Sequence, residues 1–349
     1  MDRDRYHRHW LLPEIGPEGQ ERLARARVLL VGCGALGSAV AELLVRAGLG
    51  MLRIVDRDIV ELTNLQRQVL FDEQDVKEQT PKAIAAAARL RRINSTVRIE
   101  PLVADVHPGN VEQIAGLEAG GTPVDLILDG TDNAETRYLL NDVSVKHHVP
   151  WVYGACVGTE GRCMAIHPPQ TGCLRCLFPV PPQLGELPTC DTAGVLAAAA
   201  FVVASQQVVA ALKWLVRREV FQGLIAADLW RARFRVISTE ELRRDECLAC
   251  GRHEFEFLDR RSTDGSVSLC GRDAVQIRPP GESAPIDLGR LAIKLGSAGT
   301  VERTPYLLRC ELREPAGVRL TVFTDGRAIV HGTTEPQRAR SVYARFVGM

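Results

Sequence analysis

Lysine is almost missing from this chain. Only Lys77, Lys82, Lys146, Lys213 and Lys294 occur among 349 residues, although lysine and arginine together number 43. A lysine beside a motif therefore carries more weight than usual. Net charge is missing too: 43 acidic residues cancel the 43 basic ones, so no general field for nucleic acid or an anionic membrane is implied. No leader pattern opens the chain, because "MDRDRYHRHW" is charged and lacks an apolar h-region. The most apolar stretch, "AGVLAAAAFVVA" from Ala193 to Ala204, stops at Ser205, Gln206 and Gln207. That run is too short for a bilayer and predicts a buried helix. A cytoplasmic protein with no membrane and no nucleic-acid partner is the expectation. No internal repeat is found, and the eight histidines offer no convincing Ser-His-Asp set.

What is present suits a globular enzyme: 46% hydrophobic and 25% charged residues, on a chain long enough for a large domain and a smaller one. Ten cysteines do not make a disulfide scaffold at this size; metal ligation or thiol chemistry fits better. "ARVLLVG", "LRIVDRD", "VRIEPLVADV" and "VDLILDGTDN" read as strands alternating with helices, one of them "PKAIAAAARLRRIN" with Pro81 at its first turn. Such alternation predicts an α/β, Rossmann-like sheet, mainly parallel, with helices on both faces. Near Trp151 the order changes to a hairpin, "WVYGACVGTEGRCMAI", which makes the sheet mixed. A composition break at "DRRSTDGS" separates residues 1–258, the nucleotide-binding domain, from a small C-terminal α+β domain over 262–349.

"VGCGALGSAV" follows the first strand and opens a helix. Gly32 permits the tight turn, Gly34 lets backbone approach a phosphate, and Gly37 allows close helix–strand packing. Asp56, at the end of the next strand, is placed to accept from ribose hydroxyls. The motif alone does not separate NAD from ATP. "DIVELTNLQRQ" then brings Asp58, Asn64, Arg67 and Gln68, and Lys82 opens the following helix. As bland surface charges Arg67 and Lys82 would mean nothing; near strand ends they can neutralise a triphosphate, a task a dehydrogenase does not face. Asp132 in "DGTDN" can hold Mg²⁺, or cap the helix after it, or both.

Cys173 and Cys176, with Cys247 and Cys250, form two C-x-x-C pairs. Four thiolates so spaced match a closed tetrahedral Zn²⁺ site that staples remote segments, with a redox dithiol as the competing reading. Cys190, in "LPTCDTAG", precedes a helix whose N-terminus would favour its thiolate; it is equally readable as a spectator, like Cys33, Cys156 and Cys163.

"RYHRHWLLPEIG", "VLLVGCGALGS", "VDRDIVELTNLQRQ", "TPKAIAAAARLRRIN", "DGTDN", the paired C-x-x-C and "LPTCDTAGV", in this order, resemble the ThiF/MoeB family of sulfur-carrier adenylyltransferases, relatives of ubiquitin-activating enzymes. The likeness covers roughly residues 3 to 255. It implies a homodimer that uses MgATP to adenylate the C-terminal Gly-Gly of a small ubiquitin-like carrier, releasing pyrophosphate. By the resemblance Asp56 holds the ribose, Asn64, Arg67 and Lys82 address the phosphates beside Gln68, and Asp132 ligates Mg²⁺. Arg8 would act as an arginine finger in the neighbouring protomer's site; His9 departs from the family's usual glutamine. Cys190 matches a loop cysteine that in some members links covalently to the carrier, and a persulfide donor is the alternative acceptor. The pathway stays open among molybdopterin, thiamine, cysteine, tRNA thiolation and protein conjugation. The C-terminal domain has no C-R-x-G-type sulfurtransferase loop. Cys270 is a candidate for sulfur relay, and the default is a module that packs on the core or recruits the carrier. Alternatives are a tRNA-modifying cyclase of the same superfamily, an NAD-dependent dehydrogenase, and a catalytically silent zinc-stapled interaction protein.

Overall fold

The structure, a computed structural model, describes residues 3–182, 186, 189–260, 266–269, 273–277 and 286–348. The chain divides into two units, Met1–Arg261 and Ser262–Met349. Eight strands form one sheet in the first: β1 (Arg27–Val31), β2 (Met51–Val55), β3 (Arg98–Leu102), β4 (Leu126–Asp129), β5 (Trp151–Val157), β6 (Glu160–Ile166), β7 (Gly223–Asp228) and β8 (Arg233–Ser238). Their order is β3-β2-β1-β4-β5-β6-β7-β8. The first five in that order run parallel and the last three antiparallel. This is the mixed, mainly parallel sheet expected from the sequence. The order reverses between β1 and β4, and such a switch point opens a ligand crevice at the carboxyl ends of the strands.

Helices cover both faces, so β1 and β4 are buried on each side and read as continuous apolar runs. The charged arm forms α1 (Arg3–Trp10) and α2 (Gly16–Leu23); α3 (Ala35–Ala47) follows the glycine turn. α4 (Glu73–Lys77) and α5 (Lys82–Ile93) lie between β2 and β3, and α6 (Val111–Ile114) precedes β4. α7 (Ala134–His147) joins β4 to β5; α8 (Leu174–Leu177), α9 (Cys190–Ala193) and α10 (Ala197–Leu212) come after β6. Tyr6 anchors α1: its hydroxyl accepts from Asn94 Nδ2 at 2.8 Å, and its ring fills the space a Cβ on Gly48 would take.

Two features differ from the sequence expectation. β7 is a strand where none was expected, because "GLIAAD" is short and alanine-rich. The apolar helix also continues through Ser205, Gln206 and Gln207. Ser205 Oγ donates back to Phe201 O, and buried Gln207 donates from Nε2 to Asp129 O at 2.8 Å and Val152 O at 3.2 Å. Gln207 is thus a sheet anchor above Gly154, not a helix end. With the π-turn Lys213–Arg217, the 21 residues Ala197–Arg217 are long and apolar enough to cross a membrane, but they pack on α3, β5 and β6 within the unit.

The second unit is an antiparallel sheet in the order β11-β12-β13-β14-β10-β9. Its elements are β9 (Ser266–Leu269), β10 (Ala274–Ile277), α11 (Leu288–Leu295), β11 (Gly299–Arg303), β12 (Leu307–Leu312), β13 (Arg319–Phe323), β14 (Ala328–His331) and α12 (Pro336–Phe346). Both helices sit on one sheet face, where Leu291, Leu295, Val342 and Tyr343 pack against Val275, Leu308 and Val330. β13 and β14 turn at Asp325-Gly326 as expected, with Tyr343 Oη donating to Gly326 O at 2.8 Å. Cys270 lies outside the described residues.

Candidate active site

The turn from β1 into α3 is held by close backbone contact. Gly32 has φ +88°, and a Cβ there would lie 2.6 Å from Gly130 O. A Cβ on Gly37 would lie 2.0 Å from Gly32 O, so neither position accepts a side chain. Gly34 differs: the nearest atom to a Cβ would be Gln68 Nε2 at 3.8 Å. Its surface is bare toward the crevice, as a glycine meant for close approach of a ligand requires.

Asp56, at the carboxyl end of β2, ties this turn to the next segment. Oδ2 accepts from Cys33 N–H at 2.6 Å and Oδ1 from Asp58 N–H at 2.7 Å. Burial pushes its carboxyl up from the usual range, while the charge of Lys82 opposes the shift. Lys82 opens α5 behind Pro81 and is buried, not a solvated surface charge. Its Nζ meets Asp58 Oδ2 at 3.1 Å. Burial pulls the ammonium down, but Asp58 and Asp56 outweigh it, so the lysine stays charged.

Between them, the short 3₁₀ turn Leu62–Asn64 is fixed by Asn64 Oδ1 accepting Glu61 N–H at 3.1 Å. Gln68 N–H donates to Asn64 O, and buried Gln68 Oε1 has no partner among the described residues. Arg67 bends over this turn, Nη1 donating to Thr63 O at 2.8 Å.

The third wall is the turn after β4. Asp129 is fully buried; Oδ1 takes Thr131 N–H and Oγ1 at 2.9 and 2.7 Å, and Oδ2 takes Arg137 Nε at 3.0 Å. Asp132, exposed at the tip, accepts no hydrogen bond among the described residues, and the cap of α7 is Asn133, whose side chain accepts Thr136 N–H. The charge of Asp132 acts on Lys82, Arg57 and Arg137, so it shares the crevice with Asp56 and Asp58. A free carboxylate beside fixed cations has the chemistry of a magnesium ligand.

Cys173, Cys176, Cys247 and Cys250 do converge. Their sulfurs lie within 4.8 Å of one another, with 3.7 Å between Cys173 and Cys247 and 3.4 Å between Cys176 and Cys250. Zinc–sulfur bonds of about 2.3 Å place tetrahedral sulfurs about 3.8 Å apart, so the buried set fits that ion. Helix α7 braces the first knuckle and the segment that follows the second: Asn141 Oδ1 accepts Leu174 N–H at 2.8 Å, and Asp142 Oδ2 accepts Phe257 N–H at 2.9 Å. Cys190 is the first residue of α9, behind Thr189. Arg8 is exposed on α1 and makes no hydrogen bond or ion pair among the described residues.

Residues 6–249 match the ThiF family. The chain belongs to that family. The sulfur carrier protein ThiS adenylyltransferase of Bacillus subtilis (strain 168) is 43% identical over 99% of both chains. The sulfur carrier protein adenylyltransferase of Thermus thermophilus is 41% identical over 71% of this chain and 90% of its own, and the SAMP-activating enzyme E1 of Haloferax volcanii 40% over 73% and 92%. A crystal structure of Escherichia coli MccB with ATP superposes with a TM-score of 0.60 at 21% identity, covering 71% of this chain and 74% of that one. It shares the fold. The likeness to the Bacillus protein, at 99% of this chain, includes the second unit.

Arg57, Asp129 and Arg137 went unnoticed in the sequence of this ThiF-family chain. Arg57 follows Asp56 directly and meets Asp105 at 3.1 Å, bringing a third cation to the β2–β3 edge. Arg137 stands one helical turn past the Asn133 cap, a position that faces the sheet. That spacing was the available signal.

Proposed function

We propose that this ThiF-family chain adenylates the C-terminal carboxylate of a small ubiquitin-like sulfur-carrier protein ending in Gly-Gly, consuming ATP with Mg²⁺ and releasing pyrophosphate. The observation that carries the reading is the buried, charged Lys82 set among Asp56, Asp58 and the partner-free Asp132, beside a glycine turn bared at Gly34. A carboxylate oxygen attacks the α-phosphorus, and the bond to the bridging oxygen of pyrophosphate breaks. Two anions must meet, and almost no proton transfer is needed. The protein's task is alignment and charge neutralisation.

Gly32, Gly34 and Gly37 bring backbone to the phosphates, and Asp56 takes the ribose hydroxyls with its remaining lone pairs. Lys82 and Arg67, with Asn64 and Gln68 beside them, face the phosphates. Asp132, assisted by Asp58, would hold magnesium, which when bound draws charge from the phosphate oxygens. The partner-free Arg8 suits a homodimer in which it reaches a second copy's phosphates. The four cysteines would hold zinc as a closed structural site. Either a persulfide donor or Cys190 takes the activated acyl group, giving a thiocarboxylate or a thioester.

Residues 1–258 carry the chemistry and 262–349 recruit the carrier. The full-length likeness to a ThiS adenylyltransferase favours a ThiS-type carrier. The protein is expected to work in the cytoplasm. Incubating it with MgATP and such a carrier, then weighing the carrier by intact mass spectrometry, tests the reading: an added adenylyl mass, absent when the last glycine is deleted, is expected. An unchanged carrier mass with active, folded protein refutes it.

A further inference from the structure

Thr131, one residue before Asp132, has three polar groups, and one buried ion pair holds all three. Asp129 Oδ1 takes its N–H at 2.9 Å and its Oγ1 at 2.7 Å. Its carbonyl O accepts from Arg137 Nη2 at 2.6 Å. Arg137 Nε meets Asp129 Oδ2 at 3.0 Å, with side chains 17% and 0% exposed. The residue after Asp132 is fixed as well, since Asn133 caps α7 and accepts Thr136 N–H at 2.8 Å. Asp132 is therefore an exposed carboxylate, with no hydrogen bond among the described residues, on backbone pinned from both sides.

The ion pair is in turn anchored to the sheet. Arg137 Nη2 also donates to Gly154 O on β5 at 3.2 Å, and its guanidinium lies 5.5 Å over the Tyr153 ring. Gln207 of α10 holds Asp129 through its carbonyl O. A buried ion pair contributes little net stability by itself, yet this one directs Oδ1 and Nη2 to a single residue of the turn. A turn left free to swing would lose backbone freedom each time it captured a cation, which weakens the site. We propose that Asp129, Thr131 and Arg137 are positioning residues for the metal-holding carboxylate. The buried pair grips Thr131 so that Asp132 is already set beside the crevice cations before a divalent ion arrives. The proposal rests on the adenylation reading, with Asp132 as its magnesium ligand.

The test measures ATP binding to the full-length protein by calorimetry, without carrier, once in magnesium and once in EDTA. Thr131→Val keeps the side-chain shape and the ion pair but removes the hydroxyl. It should weaken the Kd for ATP in magnesium about tenfold, the worth of one hydrogen bond to a charged acceptor, and change the Kd in EDTA by less than about twofold. Thr131→Ser restores the hydroxyl and should restore the wild-type Kd in magnesium. Arg137→Lys keeps a charge opposite Asp129 but loses the fork to Thr131 O and Gly154 O, so its loss should also be confined to the magnesium arm. In carrier-dependent pyrophosphate exchange, the magnesium concentration for half-maximal rate should rise about tenfold in Thr131→Val, with carrier KM unchanged. An unchanged Kd in magnesium for both Thr131→Val and Arg137→Lys overturns the proposal. So does an equal loss in magnesium and EDTA, which marks a purely structural role. Wild-type protein that shows no carrier-dependent exchange would instead sink the adenylation reading itself.

Discussion

Lys82 and Asp58 meet at 3.1 Å, the lysine side chain 8% exposed and the aspartate 41%. On the adenylation reading the pair would seat a phosphate: the cation is fixed and dehydrated, and its partner is open enough to turn toward a metal. Lys82→Ala should lower ATP–pyrophosphate exchange about a hundredfold or more, since one aligned charge at the transition state is removed. Asp58→Asn leaves the buried ammonium with less compensation. The ligand-free protein should then melt earlier, and MgATP should raise its Tm by more than it raises the wild type's. Equal ATP-induced shifts in the two proteins would contradict this.

Gly34 and Gly37 should separate binding from folding. A Cβ at Gly37 collides with Gly32 O at 2.0 Å, so Gly37→Ala should cost about 3 kcal/mol and lower Tm with or without ligand. A Cβ at Gly34 has room, 3.8 Å from its nearest atom, so Gly34→Ala should melt like wild type and bind ATP at least about tenfold more weakly. Thermal melts beside equilibrium nucleotide binding check both.

The cysteine cluster predicts one zinc per chain by elemental analysis. Cys247→Ser or Cys250→Ser should lose the metal and lower Tm by about 10 °C, because the ion joins segments more than seventy residues apart. Full metal retention in either variant would argue against four-cysteine ligation.

His167 predicts an acid sensitivity. It is 1% exposed, packs against Trp214 with ring centroids 4.6 Å apart and planes tilted by 52°, and neither ring nitrogen has a partner among the described residues. Burial lowers its pKa from 6.5 to about 4. The unfolded chain therefore takes a proton below about 6.5 that the folded chain refuses until about 4. Stability is lost as pH falls through that window, by about 3 kcal/mol at its lower end. Asp142, raised to about 6 by burial, works in the opposite sense, so the readout is the difference between wild type and His167→Phe. The wild type should lose more Tm than the variant between pH 7 and 5. Identical pH dependence would exclude His167 as the cause.

The motif-bearing segments were legible because short-range rules govern them. The glycine turn, the strand ends at Asp56 and Asp132, and the scarce Lys82 all carry local signals. The C-x-x-C spacing likewise told which cysteines meet. What stayed hidden was pairing at a distance. Arginine supplies most of the 43 basic residues, so nothing local marks Arg57 or Arg175 as buried or site-facing, and only its spacing from the Asn133 cap marks Arg137. Only the fold sets Arg137 against Asp129 and Arg175 between a knuckle and the Tyr138 ring. Gln207 misled for the same reason: its polarity suggested a helix end, whereas the sheet supplies its acceptors.

On the adenylation reading, a carboxylate and ATP react at the crevice under cations held by Asp56, Asp58 and Asp132. Radiolabelled pyrophosphate exchange into ATP, with and without a Gly-Gly-ending carrier, measures that reaction directly. Exchange that requires the carrier in wild type, and vanishes in both Lys82→Ala and Asp132→Ala proteins that still fold, is the predicted result. Exchange absent with every such carrier, or undiminished in those two variants, would contradict the account.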